Sequence, residues 1–210
     1  MTGYHPSTCT AFARAKRIAS GDLRKVAVKA KSVWDRDKWA QVLIFDDASS
    51  HLIEVDFRGT ANDVVRRITE HAPAAMRASE PPKLESDTRG PGRPKLGVVA
   101  REVTLLPRHW EWLASQPGGA SVALRKLVEQ ARTANRGKDI LRRAQEAAYR
   151  FLSAMAGNET GFEEAIRALF AGNQERFGEC VQAWPKDVRN HANKLAAVVF
   201  AQADPAPAAQ

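Results

Sequence analysis

Apolar and polar positions alternate most clearly in "QVLIFDDASSHLIEVDFRG", residues 41–59. Two apolar runs flank the turn-forming "DDASS", which predicts a hairpin. Upstream, "TCTAFARAKRIAS" (residues 8–20) predicts one or two short strands with a tight turn near Ala15 and Lys16. Between these stretches the period changes. Leu23, Val26, Ala30 and Val33 recur at helical spacing behind Asp22, a good N-cap residue. After the hairpin, Thr60 or Asn62 is placed to cap "DVVRRITEHA". The order β-β-α-β-β-α implies a small α+β domain within residues 1–77.

Residues 78–98 interrupt the patterning. "ASEPPKLESDTRGPGRPK" holds four prolines, with Gly90 and Gly92 among them, and no periodicity, so it reads as a basic linker or arm. Residues 99–136 then resume in a new order. Val103 and Leu105 alternate with Glu102 and Thr104, as in a short half-buried strand. Pro107 suits the first turn of a helix along which Leu106, Trp110 and Leu113 recur. Trp110 and Trp112 face different sides, so one is expected in a core and the other at a dimer or neighbouring-domain contact. "QPGG" stops this helix. Ser121 is placed to cap a second one, striped by Leu124, Leu127, Val128 and Ala131.

From residue 137 to 205 the chain reads as helical. A weak repeat pairs "AGNETGFEEAIRALF" (156–170) with "AGNQERFGECVQAWP" (171–185). Asn158 and Asn173 suit left-handed or capping positions, and Phe162, Phe170, Phe177 and Trp184 are the expected core. Pro185 should start a last helix, and residues 206–210 read as a tail.

Apolar residues make up 44% of the 210, enough for a core. No apolar run approaches the roughly 18 residues of a membrane span, and "MTGYHPSTCTAFARAKRIASGD" has no signal-peptide hydrophobic region. Cys9 and Cys180 lack metal-ligand spacing and fit a reducing, cytoplasmic setting. No phosphate-binding loop, dinucleotide fingerprint or nucleophile elbow occurs, and "HWEW" (109–112) lacks a second zinc-binding histidine. No cofactor is expected. Asp46, Asp47, His51 and Asp56 gather around the hairpin, where a metal or hydrolytic centre competes with the ordinary use of aspartate in turns. His191 reads as a packed or surface histidine rather than a ligand.

Net charge is +8, unevenly spread. Residues 1–85 carry 14 Lys/Arg and 11 Asp/Glu, residues 86–150 carry 13 and 6, and residues 151–210 carry 5 and 7. A uniformly arginine-rich composition would not place the excess in the middle. The pattern points to a polyanion-binding face there.

The strand "REVTL", the helix "PRHWEWLASQ", the turn "GGAS" and the second helix with Arg125 resemble the ribbon-helix-helix DNA-binding families. In that arrangement two copies pair their strands into a ribbon that enters the major groove. The resemblance implies base contacts from Glu102 and Thr104, with Arg101 at the ribbon's end. It also implies a phosphate grip at the N-terminus of the second helix, near Gly119 and Ser121. Glu102 departs from the basic residue such ribbons carry. The alternative is a helical hairpin whose strand pairs inside its own chain. Gly92-Arg93-Pro94 with Lys95 resembles an AT-hook core, which implies minor-groove or phosphate contacts from Arg89, Arg93 and Lys95. Over nearly its full length, with "AQEAAYRFLSAMAG" and "FEEAIRALFAGN" as further blocks, the chain resembles an uncharacterised bacterial domain-of-unknown-function family (number 2239), which implies no activity.

The expected fold class is therefore α+β: a small N-terminal α+β domain, a central ribbon-helix-helix-like segment and a C-terminal all-α region. The expected function is that of a cytoplasmic, nucleoid-associated regulator without enzymatic activity, binding double-stranded DNA as a homodimer through residues 99–132. Flanking domains would take an unknown ligand or protein. A protein-interaction module without nucleic acid, and a metal-dependent hydrolase, are the competing expectations.

Overall fold

A computed structural model describes residues 8–70 and 101–203 of the chain. The fold class is α+β. Contacts divide the chain into two compact units, one of Met1–Arg77 with Gly137–Gln210 and one of Ala78–Arg136.

The first unit is built on a three-stranded antiparallel sheet in the order β2-β1-β3. Strands β1 (Cys9–Ala13) and β2 (Lys16–Gly21) turn at Arg14, which takes a positive φ of 51°. A bulge between Ala11 and Phe12 shifts their register. Strand β3 (Val42–Asp46) covers the other edge of β1, pairing Thr10 with Phe45 and Ala11 with Ile44. Side chains therefore alternate between the two faces. Cys9, Ala11 and Ile44 meet Leu23, Val26 and Ala30 of α1 (Leu23–Arg36). Phe12 and Phe45 join the core of the C-terminal helices. Asp22 caps α1, its carboxylate accepting the amide of Arg24.

Downstream of β3 the hairpin forms only in part. Residues 52–57 pair with β3 through the single bridge Phe45–Leu52, supported by the Ile53 amide bonding to the Ile44 carbonyl. Farther along, Ile53, Val55 and Phe57 lean on the α1 side, and Phe57 sits 6.0 Å from the Trp34 ring. Apolar contact with α1 holds this run in place of a strand ladder. Thr60 caps α2 (Ala61–Glu70), and Asp63 answers it by accepting the Thr60 amide and hydroxyl, an aspartate version of the capping box.

The C-terminal helices belong to this same unit. The expected separation into an N-terminal domain and a C-terminal region gives way to one core. In it Phe12 and Phe45 touch Phe151 of α4 (Gly119–Ala156) at ring distances of 5.4 and 5.2 Å. Helices α5 (Phe162–Ala171), α6 (Gln174–Val181) and α7 (Lys186–Ala203) complete it. Gly172, at φ 70°, ends α5 and donates to the carbonyls of Ala168 and Leu169. The two repeat units are capped differently. Asn173 caps α6 through its side chain, whereas Gly161 rather than Asn158 precedes α5. Phe177 and Trp184 are buried and Phe162 partly so. Phe170 is half exposed, because it follows the buried Ala168 and Leu169 around the helix and lies beside Tyr149 instead.

In the second unit, residues 101–106 are extended and α3 (Pro107–Ser115) starts at Pro107 as expected. After the turn α4 runs on without a break across the expected segment boundary between residues 136 and 137. Gly137 weakens a helix by roughly 1 kcal/mol, yet no proline interrupts the run. The Asn135 amide and Thr133 hydroxyl each bond back one turn, to Ala131 and Glu129.

Candidate nucleic-acid interface

Arg89, Arg93 and Lys95 lie outside the described residues. Arg101, Glu102 and Thr104 lie in the extended segment and are exposed, and residues 101–106 pair with no strand of their own chain among the described residues. Pairing inside the chain, the alternative reading of "REVTL", is therefore not seen there. Leu106 is the N-cap of α3 with no side-chain cap, and its carbonyl takes the amides of His109 and Trp110. Trp110 and Trp112 are both exposed, so neither enters a core in its own chain. Leu113 alone of α3 is buried.

Gly119 opens α4 at φ 77°, a conformation reserved for glycine, and its amide bonds to the Gln116 carbonyl. Because the helix starts there, Ser121 lies within the first turn and does not cap it. Its carbonyl accepts from the Arg125 guanidinium at 3.1 Å. Gly119, Ser121 and Arg125 thus share one helix end, where the helix dipole favours an anion. No hydrogen bond or ion pair joins them to Arg101, Glu102 or Thr104 among the described residues.

Two features of this unit escaped the sequence reading. Lys126, Arg132 and Arg136 add cations beside Arg125, and the spacing of 125, 132 and 136 already marked one helical face. Small residues extend the apolar stripe as well, since Ala120 and Ala134 continue Leu124, Leu127 and Ala131.

The aspartates of the first unit have structural partners. The buried Asp46 carboxylate accepts the amides of Ala48 and Ser49 and the Ser49 hydroxyl, which builds the turn. Asp47 accepts the Thr10 hydroxyl at 2.6 Å. Asp56 binds Arg58, whose guanidinium and amide hold its carboxyl well below the ordinary range. His51 is exposed. Among the described residues no three His, Cys, Asp or Glu side chains are grouped to hold a metal. His191 is buried between Phe12 and Phe151, and burial pushes its pKa down to about 4. A cleft of about 460 Å³ opens where residues 52–57 part from β3, lined by Trp34, Val42, Ile53, Val55 and Phe57. No helix among the described residues is long and apolar enough to cross a membrane.

These features define an α+β protein: a three-stranded sheet packed between helices in one unit, and exposed apolar and basic helical surface in the other. Residues 8–196 match the family described as an uncharacterized protein conserved in bacteria (DUF2239), and the chain belongs to that family. No curated protein and no solved structure matches it.

Proposed function

We propose that the protein is a dimeric, nucleoid-associated DNA-binding regulator of the bacterial cytoplasm. Residues 99–132 pair with a second copy in the ribbon-helix-helix manner, and the arm at residues 89–95 adds phosphate or minor-groove contacts. One observation carries this reading. Among the described residues of the second unit only Leu113 and Ala123 are buried apolar side chains, while Val103, Leu106, Trp110, Trp112, Leu127 and Val128 are 42–62% exposed. A lone extended segment with two helices cannot close its own edge or bury its stripes. A second copy supplies both a strand for 101–105 and a cover for the apolar side chains. The basic balance of residues 86–150 and the open end of α4 favour a duplex as the ligand.

Light scattering on the eluting protein and a mobility shift on random-sequence duplex test the reading together. A mass twice the 23.1 kDa chain, with a shift that weakens as salt rises, is the expected result. A monomer with no salt-sensitive shift sinks it. The competing reading, a protein-interaction module, draws on Trp39, 91% exposed beside the cleft-lining Ala40 and Gln41. It requires that purified protein leave duplex DNA unbound.

A further inference from the structure

We propose that α4 carries a second polyanion-binding face in the second unit: a lane of Arg125, Arg132 and Arg136, with Lys126 beside it, that lies along the phosphate backbone of duplex DNA. The choice of duplex rests on the DNA-binding reading above. The lane itself rests on separate observations.

The three arginines are spaced by seven and four residues. At roughly 100° per residue they fall within a strip about 40° wide, rising about 10 Å and then about 6 Å. Residues 125–138 are exposed at every position, so no packed neighbour claims these side chains. The helix is also sorted by face. Ala120, Leu124, Leu127, Ala131 and Ala134 follow alternating steps of four and three, the spacing of a helix-pairing seam. The flanks of that seam, Ser121, Ala123, Val128, Gln130 and Asn135, are uncharged. Every charge from 119 to 136 lies away from the seam, with the lane about 140° round the helix from it and Lys126 about 120°. A partner that covers the seam leaves the lane facing outward.

Charge chooses the occupant. From 119 to 136 the helix holds four cations and one carboxylate, Glu129. A solvated face that stabilised itself would alternate signs at i, i+4. Here Arg132 and Arg136 stand four apart with like charge, and Glu129, four residues from Arg125, is the one carboxylate set against four cations. Arg132 meets Glu129 at 3.2 Å with both side chains mostly exposed, an interaction of little worth. Arg125 is held only by the Ser121 carbonyl, and Lys126 and Arg136 have no carboxylate partner among the described residues. A duplex carries one charge per roughly 3.4 Å of each strand, so the lane spans several phosphates.

The test uses the full chain and a fluorescent duplex of random sequence, with anisotropy read across a salt series. Three proteins are compared: wild type, the lane variant Lys126→Gln/Arg132→Gln/Arg136→Gln, and an arm-and-ribbon variant Arg93→Ala/Lys95→Ala/Thr104→Ala. The lane variant is expected to keep its circular dichroism, melting and mass. It should lose about tenfold or more in affinity at low salt, and the slope of log K against log salt should shrink by about two to three. Wild-type affinity and slope in the lane variant, with a loss in the arm-and-ribbon variant, overturn the lane and leave the regulator reading standing. The reverse pattern upholds the lane and removes the arm and ribbon. Sedimentation with phosphatidylserine vesicles supplies the last arm. Lane-dependent vesicle binding without duplex binding assigns the surface to a membrane and overturns the proposal.

Discussion

The imidazole of His191 in α7 lies 4.5 Å, ring centre to ring centre, from Phe151 in α4, and both side chains are buried. Phe12 of β1 completes the cluster, 5.4 Å from Phe151 and 5.5 Å from His191. A strand from the start of the chain is thereby joined to helices from its end. A basic side chain sits where only its neutral form is comfortable.

Stability should therefore depend on pH through His191. Burial, reinforced by Lys194 and Arg17 and opposed by Asp47, lowers its pKa to about 4. The unfolded chain takes up the proton near 6.5 and the folded chain resists until about 4. The unfolded state binds more protons in that window, so stability falls as pH drops from about 6.5 to 4 and is level above it. The expected loss is on the order of 2–3 kcal/mol. Urea midpoints at pH 7.5 and 4.5 check it. His191→Leu should flatten the difference, and an equally steep variant would show that another group is responsible.

Phe12→Ala should cost about 3–5 kcal/mol, because it opens a cavity where the sheet meets α4 and α7. Phe170→Ala, at a half-exposed position, should cost well under that. Thermal melts of the two variants side by side give the contrast, and equal losses would contradict the burial seen here.

Cys9 should be inert in the folded protein. It is fully buried, its thiol points to the Gly21 carbonyl, and burial pushes its pKa up to about 12. Thiolate is the reactive form, so alkylation at neutral pH should spare Cys9 until denaturant is added. Mass spectrometry of the labelled peptides reads this directly. Native labelling of Cys9 at the rate of a free thiol would contradict it.

Asn173→Ala should destabilise the chain by about 1 kcal/mol, since its side chain accepts the Arg176 amide at the start of α6. Asn158→Ala, which removes no helix cap, should cost less. Chemical denaturation distinguishes the two Gly-Asn repeat units by that difference.

Dimer formation has its own sensitive position. Leu127→Glu places a charge at the centre of the exposed stripe of α4 and should convert the expected dimer to monomer without lowering the melting of the first unit. Light scattering measures the mass. A variant that remains dimeric would move the dimer contact elsewhere.

Most single elements were legible before the structure. Asp22 and Thr60 announced their helices because a cap is a short-range device, decided within three residues. Pro107 and Pro185 did the same through the backbone. The apolar face of α1 followed from period alone. Other features were misread for physical reasons. The second half of the hairpin has strand-like alternation, yet its apolar side chains find α1 before a ladder forms beyond Ile53. At the Asp46 turn, where a ligand cluster was weighed against the ordinary use of aspartate in turns, the carboxylate accepts the amides of Ala48 and Ser49. Among the candidate DNA-binding residues, Gly119, Ser121 and Arg125 fall at one helix end as the pattern suggested, but Ser121 is inside the first turn.

The sequence by itself determined which segments are helical or extended, where they start, and where positive charge accumulates. All of these depend on neighbours within about four residues. Tertiary structure decided the rest. It placed Phe12, Phe45, Phe151 and His191 in one core, merged the first and last thirds of the chain, and carried α4 through Gly137. It also left the apolar stripe of α4 and its arginine lane uncovered on different faces. These outcomes depend on which surfaces far apart in the chain exclude water together, and local periodicity carries no record of that choice.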